Sequence, residues 1–129
     1  MKKIILLFFI FSGMLFSQDI EVKLFSKLFT TLFNKKTVFV YTENKKYQNL
    51  QSIFLVNVKD CKKADIVLGI SKKCKTKPHF LLDYYNYKKD KNAIGAFYWR
   101  KGRPQLRLRK KMILKYHLYI SPEFEDYLE

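Results

Sequence analysis

The chain has 129 residues and a formal net charge of +15 at pH 7, from 26 Lys and Arg against 11 Asp and Glu. This length is that of one domain with a modest core, and it excludes the two-lobed architecture of most solute-binding proteins. The charge favours anionic partners, namely nucleic acid, anionic lipid headgroups, lipopolysaccharide phosphates or an acidic protein surface. A solvated, lysine-rich surface without a binding role is the simplest explanation of this charge.

The N-terminus has the layout of a secretory signal peptide. A basic start precedes the unbroken apolar run Ile4 to Phe11, and the small residue Ser17 precedes polar residues. We therefore predict cleavage after Ser17, with residues 1–17 as the signal peptide and residues 18–129 as a single periplasmic domain. The alternative is an uncleaved anchor, but the apolar run is shorter than the roughly 20 residues that a membrane-spanning helix needs. Export also argues against nucleic acid as a partner.

Residues Ile20 to Phe33 are predicted to form an amphipathic helix with Asp19 as its N-cap. Its apolar side chains form two adjoining rows: Ile20, Leu24, Leu28 and Leu32 beside Phe25, Phe29 and Phe33. We expect this broad apolar face to pack on a sheet. Adsorption of the basic helix to a membrane surface, as a peripheral contact, is the alternative.

Short apolar segments separated by polar loops follow the helix. They are predicted to be strands over Thr37–Thr42, Ile53–Val58, Ala64–Ile70 and Pro78–Asp83, and a polar connection follows from Tyr84 to Asn92. Continuous apolar runs are typical of strands that are covered on both faces, as in the parallel or mixed sheets of α/β domains.

The C-terminal part is predicted to form a β-hairpin and two helices. Strands over Ala93–Trp99 and Gln105–Arg109 flank a turn, and helices follow at Lys110–His117 and, after a capping Ser121, at Pro122–Leu128. The predicted fold is therefore a single small α/β domain. It has a mixed sheet of five to six strands, an N-terminal amphipathic helix, a C-terminal β-hairpin and a short closing helix.

Cys61 and Cys74 are the two cysteines of the chain, and an even number in an oxidising compartment favours a disulfide. They lie just before the third and the fourth predicted strand. If those strands are parallel neighbours, both thiols lie near the same edge of the sheet and can form a bridge; if the strands are not adjacent, they cannot. The cysteines lack the C-x-x-C spacing of zinc sites, so no metal site is predicted.

No catalytic motif is present in the sequence. It lacks a G-x-S-x-G elbow, a phosphate-binding glycine loop and an H-E-x-x-H pair, so we predict a non-enzymatic protein without a cofactor. Cys74 and His79 as nucleophile and base is a weaker interpretation than a structural cysteine. Asp83 ends a strand predicted to be parallel, where α/β proteins often bind ligands, and Tyr84 and Tyr85 follow it. These three are candidate ligand-binding residues, unless the tyrosines only cover the edge of the core.

The predicted hairpin combines aromatic and basic side chains in the stretch AIGAFYWRKGRPQLRLRKK, from Ala93 to Lys111. Trp, Tyr and Arg are the residues most common in binding hot spots, so the stretch is the candidate partner-binding surface. Its candidate residues are Tyr98, Trp99, Arg100, Lys101, Arg103, Arg107 and Arg109. Two alternatives are stacking on single-stranded nucleic acid and an ordinary hairpin with an aromatic core and solvated arginines.

The order of these segments resembles that of small periplasmic α/β proteins of the YfiR-like kind. The resemblance spans Thr37 to Leu128 and rests on ADIVLGIS after a cysteine, KPHFLLDYY, the hairpin and LYISPEFEDYL. The stretch GAFYWRKGRP is also similar to one in a group of uncharacterised bacterial periplasmic proteins. The resemblance implies a periplasmic regulator that binds the outer face of a membrane signalling enzyme and restrains it or reports to it. It implies no catalytic residue.

We therefore expect a non-enzymatic periplasmic signalling protein that docks through the hairpin on a membrane-bound sensor, of kinase or cyclase type, or on another envelope protein. One alternative is a small-molecule or anion-binding protein, accessory to a transporter or an envelope component. Another is a protein that binds an anionic envelope ligand through charge alone.

Overall fold

The computed structural model describes residues 17–49 and 52–129, so the predicted signal peptide lies, except for Ser17, outside the described residues. Along the chain, the helices and strands are α1 (Ser17–Phe33), β1 (Val38–Thr42), β2 (Leu55–Asn57), β3 (Ile66–Leu68), β4 (His79–Leu81), α2 (Tyr84–Lys89), β5 (Gly95–Arg100), β6 (Arg103–Leu108) and α3 (Lys110–Lys115). Short 3-10 helices cover Lys45–Tyr47, Cys61–Lys63 and Pro122–Tyr127. Among these residues, no helix has both the length and the hydropathy to cross a membrane.

The six strands form one sheet in the order β2-β1-β3-β4-β5-β6, in which β1 to β5 run parallel and β6 runs antiparallel to β5. This confirms the predicted single small α/β domain with a mixed sheet. The order of β1 to β5 is that of doubly wound folds, whose winding reverses between β1 and β3. The carboxyl ends of the five parallel strands therefore lie along one edge of the sheet. The turn of the β5–β6 hairpin lies at this carboxyl edge.

Helix α1 packs its apolar face on one side of the sheet. Phe25, Leu28 and Phe29 are fully buried, and the ring of Phe25 meets those of Phe80 and Phe97 at centroid distances of 5.8 and 5.7 Å. Burial of each of these large side chains contributes about 1.5–3 kcal/mol to folding. Side chains of α3 and of the C-terminal 3-10 helix complete the same cluster. The helix is thus a core element of the fold.

Two smaller groups of side chains cover the opposite face of the sheet. Over β4 and β5, Tyr87 of α2 belongs to a buried cluster with Leu81. Over β1 and β3, Cys61 belongs to a second cluster with Tyr41 and Val67. Because the two groups do not meet, they leave a cavity between them, above β3 and β4.

Three local predictions are wrong. The polar connection predicted from Tyr84 to Asn92 contains α2, because the Asp83 carboxylate accepts a hydrogen bond from the backbone N–H of Asn86 at 2.9 Å and caps the helix. Asp19 lies inside α1, which begins before it, and therefore does not cap that helix. Ser121 precedes the last 3-10 helix, but its side chain makes no capping hydrogen bond.

The predicted disulfide between Cys61 and Cys74 is present, with a Cα–Cα distance of 6.0 Å. It forms because β3 and β4 are parallel neighbours, so the segments that lead into them lie close together. In the chain-entropy model, a loop of this length stabilises the fold by about 3 kcal/mol. A disulfide is compatible with an exported protein.

Candidate functional site

The β5–β6 hairpin ends in a two-residue turn, Lys101-Gly102. Both residues have positive φ angles, 52° and 77°, as in a type I′ turn, whose twist matches that of the flanking strands. Gly102 adopts this conformation freely, whereas Lys101 does so at a cost in backbone strain. Arg103 and Pro104, which the sequence places in the turn, belong to β6. The hairpin is therefore longer than predicted.

The turn brings two arginines directly opposite each other. Arg100 is the ladder partner of Arg103, next to the pair formed by Trp99 and Pro104. Like charges opposite each other weaken a β-ladder by up to about 1 kcal/mol. Arg100, Lys101 and Arg103 are exposed, and none of them has an ion pair within the described part of the chain. We call Trp99, Arg100, Lys101 and Arg103 the hairpin tip.

Trp99 is held at the tip by a buried carboxylate. Its indole Nε1–H donates to Oε1 of Glu21 at 3.0 Å, and the hydroxyl of Tyr47 donates to the same oxygen at 3.0 Å. Lys46 Nζ lies 3.7 Å from this oxygen. The Glu21 side chain is 1 % exposed, whereas Trp99 remains 38 % exposed. The structure thus fixes the edge of the indole and leaves part of its face to solvent.

Glu21 is not among the residues predicted from the sequence, yet its carboxylate holds Trp99 at the candidate site. Burial and the neighbouring Glu21 carboxylate raise the pKa of Tyr47 well above its ordinary value, so the hydroxyl stays protonated and donates. The sequence contains an indication of this contact. Glu21 lies four residues before Phe25 and eight before Phe29, so it belongs to the same row of the helix. A carboxylate in an apolar row is costly to bury unless it is hydrogen-bonded, so it indicates a buried polar contact.

The other three predicted hairpin residues contact the rest of the fold. Arg107 forms an ion pair with Glu129, and its guanidinium lies 5.4 Å from the Tyr84 ring centroid. Arg109 donates to backbone carbonyl oxygens at 2.8, 2.9 and 3.1 Å, and these belong to Asp90, Ala93 and Tyr87. Tyr98 is buried. The structure therefore brings four of the seven predicted residues together at the tip and gives the other three contacts inside the domain.

The predicted ligand-binding residues lie at α2. Asp83 caps this helix, and the Tyr84 ring packs against the ring of Tyr98 at a centroid distance of 5.7 Å. Tyr85 is exposed, with Lys89 Nζ 4.8 Å from its ring centroid. None of the three lines the cavity above β3 and β4. Their role in ligand binding stays a prediction.

The cavity above β3 and β4 has a volume of about 330 Å³. Its lining residues are Val67, Gly69, Ile70, Ser71, Lys73, Cys74, Lys75, His79, Leu81, Asn86, Lys89, Asp90 and Asn92. In it, His79 Nε2 donates to Oδ2 of Asp90 at 2.7 Å. This cavity could not be predicted from the sequence. The polar residues that line it come from separate segments, which meet only because β3 and β4 pair in parallel.

Cys74 and His79 do not form the nucleophile and base that the sequence offered as an interpretation. The Cys74 sulfur is bonded to Cys61, so no thiolate is present, and His79 is paired with Asp90 instead. Within residues 17–49 and 52–129, no group of His, Cys, Asp or Glu is arranged to hold a metal ion.

Comparisons with protein-family models, with curated proteins and with solved structures found no match for this chain. The resemblance to YfiR-like proteins therefore stays a prediction.

Proposed function

We propose that this protein is an exported regulatory protein that docks through the hairpin tip on an acidic surface of a membrane-bound signalling protein, of sensor-kinase or cyclase type. The observation that carries the proposal is the facing pair Arg100 and Arg103, which has no ion-pair partner among the described residues, beside a fixed and partly exposed Trp99. The signal peptide predicted from the sequence supports an exported location.

The energetics of the tip support binding. Like charges opposite each other in a β-ladder, such as Arg100 and Arg103, carry a local cost, and no ion pair in the described part of the chain offsets it. Such costs concentrate at functional sites. Carboxylates on a partner would relieve the repulsion through charge-assisted hydrogen bonds to the guanidinium groups. Trp and Arg are also the residue types that most often dominate the affinity of an interface.

The fixed position of Trp99 supports the same conclusion. The hydrogen bond from its indole to Glu21 holds this side chain before binding, which lowers the entropic cost of association. Trp99 and the two arginines lie on opposite faces of the hairpin, because neighbouring residues of a strand alternate in direction. A partner must therefore enclose the end of the hairpin rather than pack on one face.

Envelope crosslinking with a matched pair of charge variants tests the proposal. A tagged protein is crosslinked in its native cell envelope, and the captured proteins are identified by mass spectrometry. We expect the wild type to capture one inner-membrane signalling protein, and Arg100→Gln/Arg103→Gln to lose roughly tenfold or more of this capture. The control Lys62→Gln/Lys63→Gln, which removes the same charge from exposed lysines elsewhere, should capture as the wild type does.

Repeating the crosslinking at raised ionic strength distinguishes docking from attraction by charge alone. Capture that involves the Trp99 ring should persist at raised ionic strength, whereas simple attraction between exposed charges should collapse. Capture of only porins and lipopolysaccharide, or equal losses in both double variants, would contradict the proposal.

A further inference from the structure

The cavity above β3 and β4 is independent of the hairpin tip and has a different character. Its floor is apolar, since Val67 and Leu81 are 2 % and 1 % exposed and point from neighbouring strands into it. One wall is the loop that contains Lys73, Cys74 and Lys75, and the opposite wall is the end of α2 with Lys89. The floor therefore suits an apolar group, and the walls present positive charge.

The lining of the cavity carries more positive than negative charge. Its lysines are Lys73, Lys75 and Lys89, and its only carboxylate among the lining residues, that of Asp90, is already bound to His79. Asp90 also accepts a hydrogen bond from the backbone N–H of Asn92 at 2.9 Å. A cleft lined mainly by one sign of charge concentrates ions of the other sign.

The walls are held in place without a ligand. The Cys61–Cys74 disulfide ties the lysine-bearing loop to the segment before β3, and the hydroxyl of Ser71 donates to the Glu43 carboxylate. Asp90 fixes the orientation of the His79 ring, whose side chain is 18 % exposed. No described residue hydrogen-bonds the second ring nitrogen of His79, so this atom remains able to contact a bound molecule.

We propose that this cavity is a binding site for a small organic anion. The anionic group, a carboxylate or a phosphate, is held by Lys73 and Lys75, and the apolar body of the molecule lies on Val67 and Leu81. A volume of about 330 Å³ is at the lower end of the range for small-molecule sites, so the ligand is small. Because the site lies away from the hairpin tip, ligand binding and docking use different residues.

Titration calorimetry with defined probes tests the site. Benzoate and phenyl phosphate carry an anionic group on an apolar ring, benzyl alcohol carries the ring alone, and inorganic phosphate carries the charge alone. We expect wild-type protein to bind one or both of the first two probes more tightly than either of the last two. A preference between benzoate and phenyl phosphate then identifies the anionic group.

A pair of double variants locates the binding. Lys73→Gln/Lys75→Gln should weaken the binding of the preferred probe roughly tenfold, since it removes two cations of the site. Lys62→Gln/Lys63→Gln removes the same charge from outside the cavity and should bind as the wild type does. All four lysines are exposed, so we expect both variants to fold as the wild type does. Near-UV circular dichroism checks this.

Two results would overturn the proposal. The first is that neither anionic ring compound binds the wild type, or that inorganic phosphate binds equally well. The second is that the two double variants lose affinity to the same extent, which would mean attraction by net charge alone. Backbone amide chemical shifts give an independent check, because they should change at Val67 and His79 and not at Trp99.

Discussion

Removal of the Glu21 carboxylate tests whether the contact beneath the hairpin tip holds the hairpin to α1. In Glu21→Ala, the buried hydroxyl of Tyr47 loses its acceptor, at a cost of about 1–3 kcal/mol. The indole N–H of Trp99 loses the same acceptor but can turn to water, because the residue is 38 % exposed. The truncated side chain adds a small cavity, so we expect a total loss of about 2–4 kcal/mol in the free energy of unfolding.

Urea unfolding followed by far-UV circular dichroism measures this loss. Glu125→Ala, which removes an exposed carboxylate, is the control and should change stability by less than about 0.5 kcal/mol. In a double-mutant cycle with Trp99→Phe, we expect a coupling free energy between Glu21 and Trp99 of about 0.5–1.5 kcal/mol. A Glu21→Ala variant as stable as the control, or strict additivity in the cycle, would refute the assigned contact.

The remaining predictions concern the disulfide, the arginine pair and the buried tyrosine. Cys61→Ser/Cys74→Ser should lower the free energy of unfolding by about 3 kcal/mol, measured by urea unfolding without reductant; an unchanged midpoint would show that the bridge does not constrain the chain. Arg100→Gln/Arg103→Gln should leave stability unchanged or raise it by up to about 1 kcal/mol, since it removes repulsion, and a clear loss of stability would mean that the arginines contribute to the fold. Because the pKa of Tyr47 is raised in the folded state, its contribution to stability is complete below the unfolded-state pKa of about 10. That contribution is lost as the pH rises from the unfolded-state pKa to the higher folded-state pKa, so the melting temperature of the wild type should fall over this range. In Tyr47→Phe, which has no hydroxyl to titrate, the melting temperature should fall less. An equal decline in the variant would exclude Tyr47 as its source.

Much of the fold is predictable from local patterns. The apolar runs that become β1 to β4 contain few polar residues, and this property alone indicated a sheet covered on both faces. The Cys61–Cys74 disulfide is predictable with one further assumption, namely that β3 and β4 are parallel neighbours, as they are in the structure. The helix row of Phe25 and Phe29 indicated which face of α1 is buried.

The parts that could not be predicted depend on contacts between distant segments. Helix α2 has a single buried residue, Tyr87, so it lacks the apolar stripe by which helices are recognised. Without that helix, the sequence offers no capping role for Asp83, and its position at the end of a strand suggests a ligand residue instead. The roles of Arg107 and Arg109 depend on Glu129 and on the carbonyl groups around α2, which alternation along β6 does not indicate. The cavity depends on the parallel pairing of β3 with β4, and His79 meets Asp90 in it only because the β4–β5 connection folds back over the sheet.

The most direct test of the docking proposal places a photo-crosslinking amino acid at a single position in the tip. Lys101 is suited to this, because it is exposed at the turn and has no ion pair within the described residues. Incorporated at Lys101 and irradiated in the native envelope, the label should join the protein to one membrane-bound signalling protein, and the same label at Lys62 should not. Equal products from the two positions, or no product from Lys101, would contradict the assignment of the hairpin tip as the docking surface.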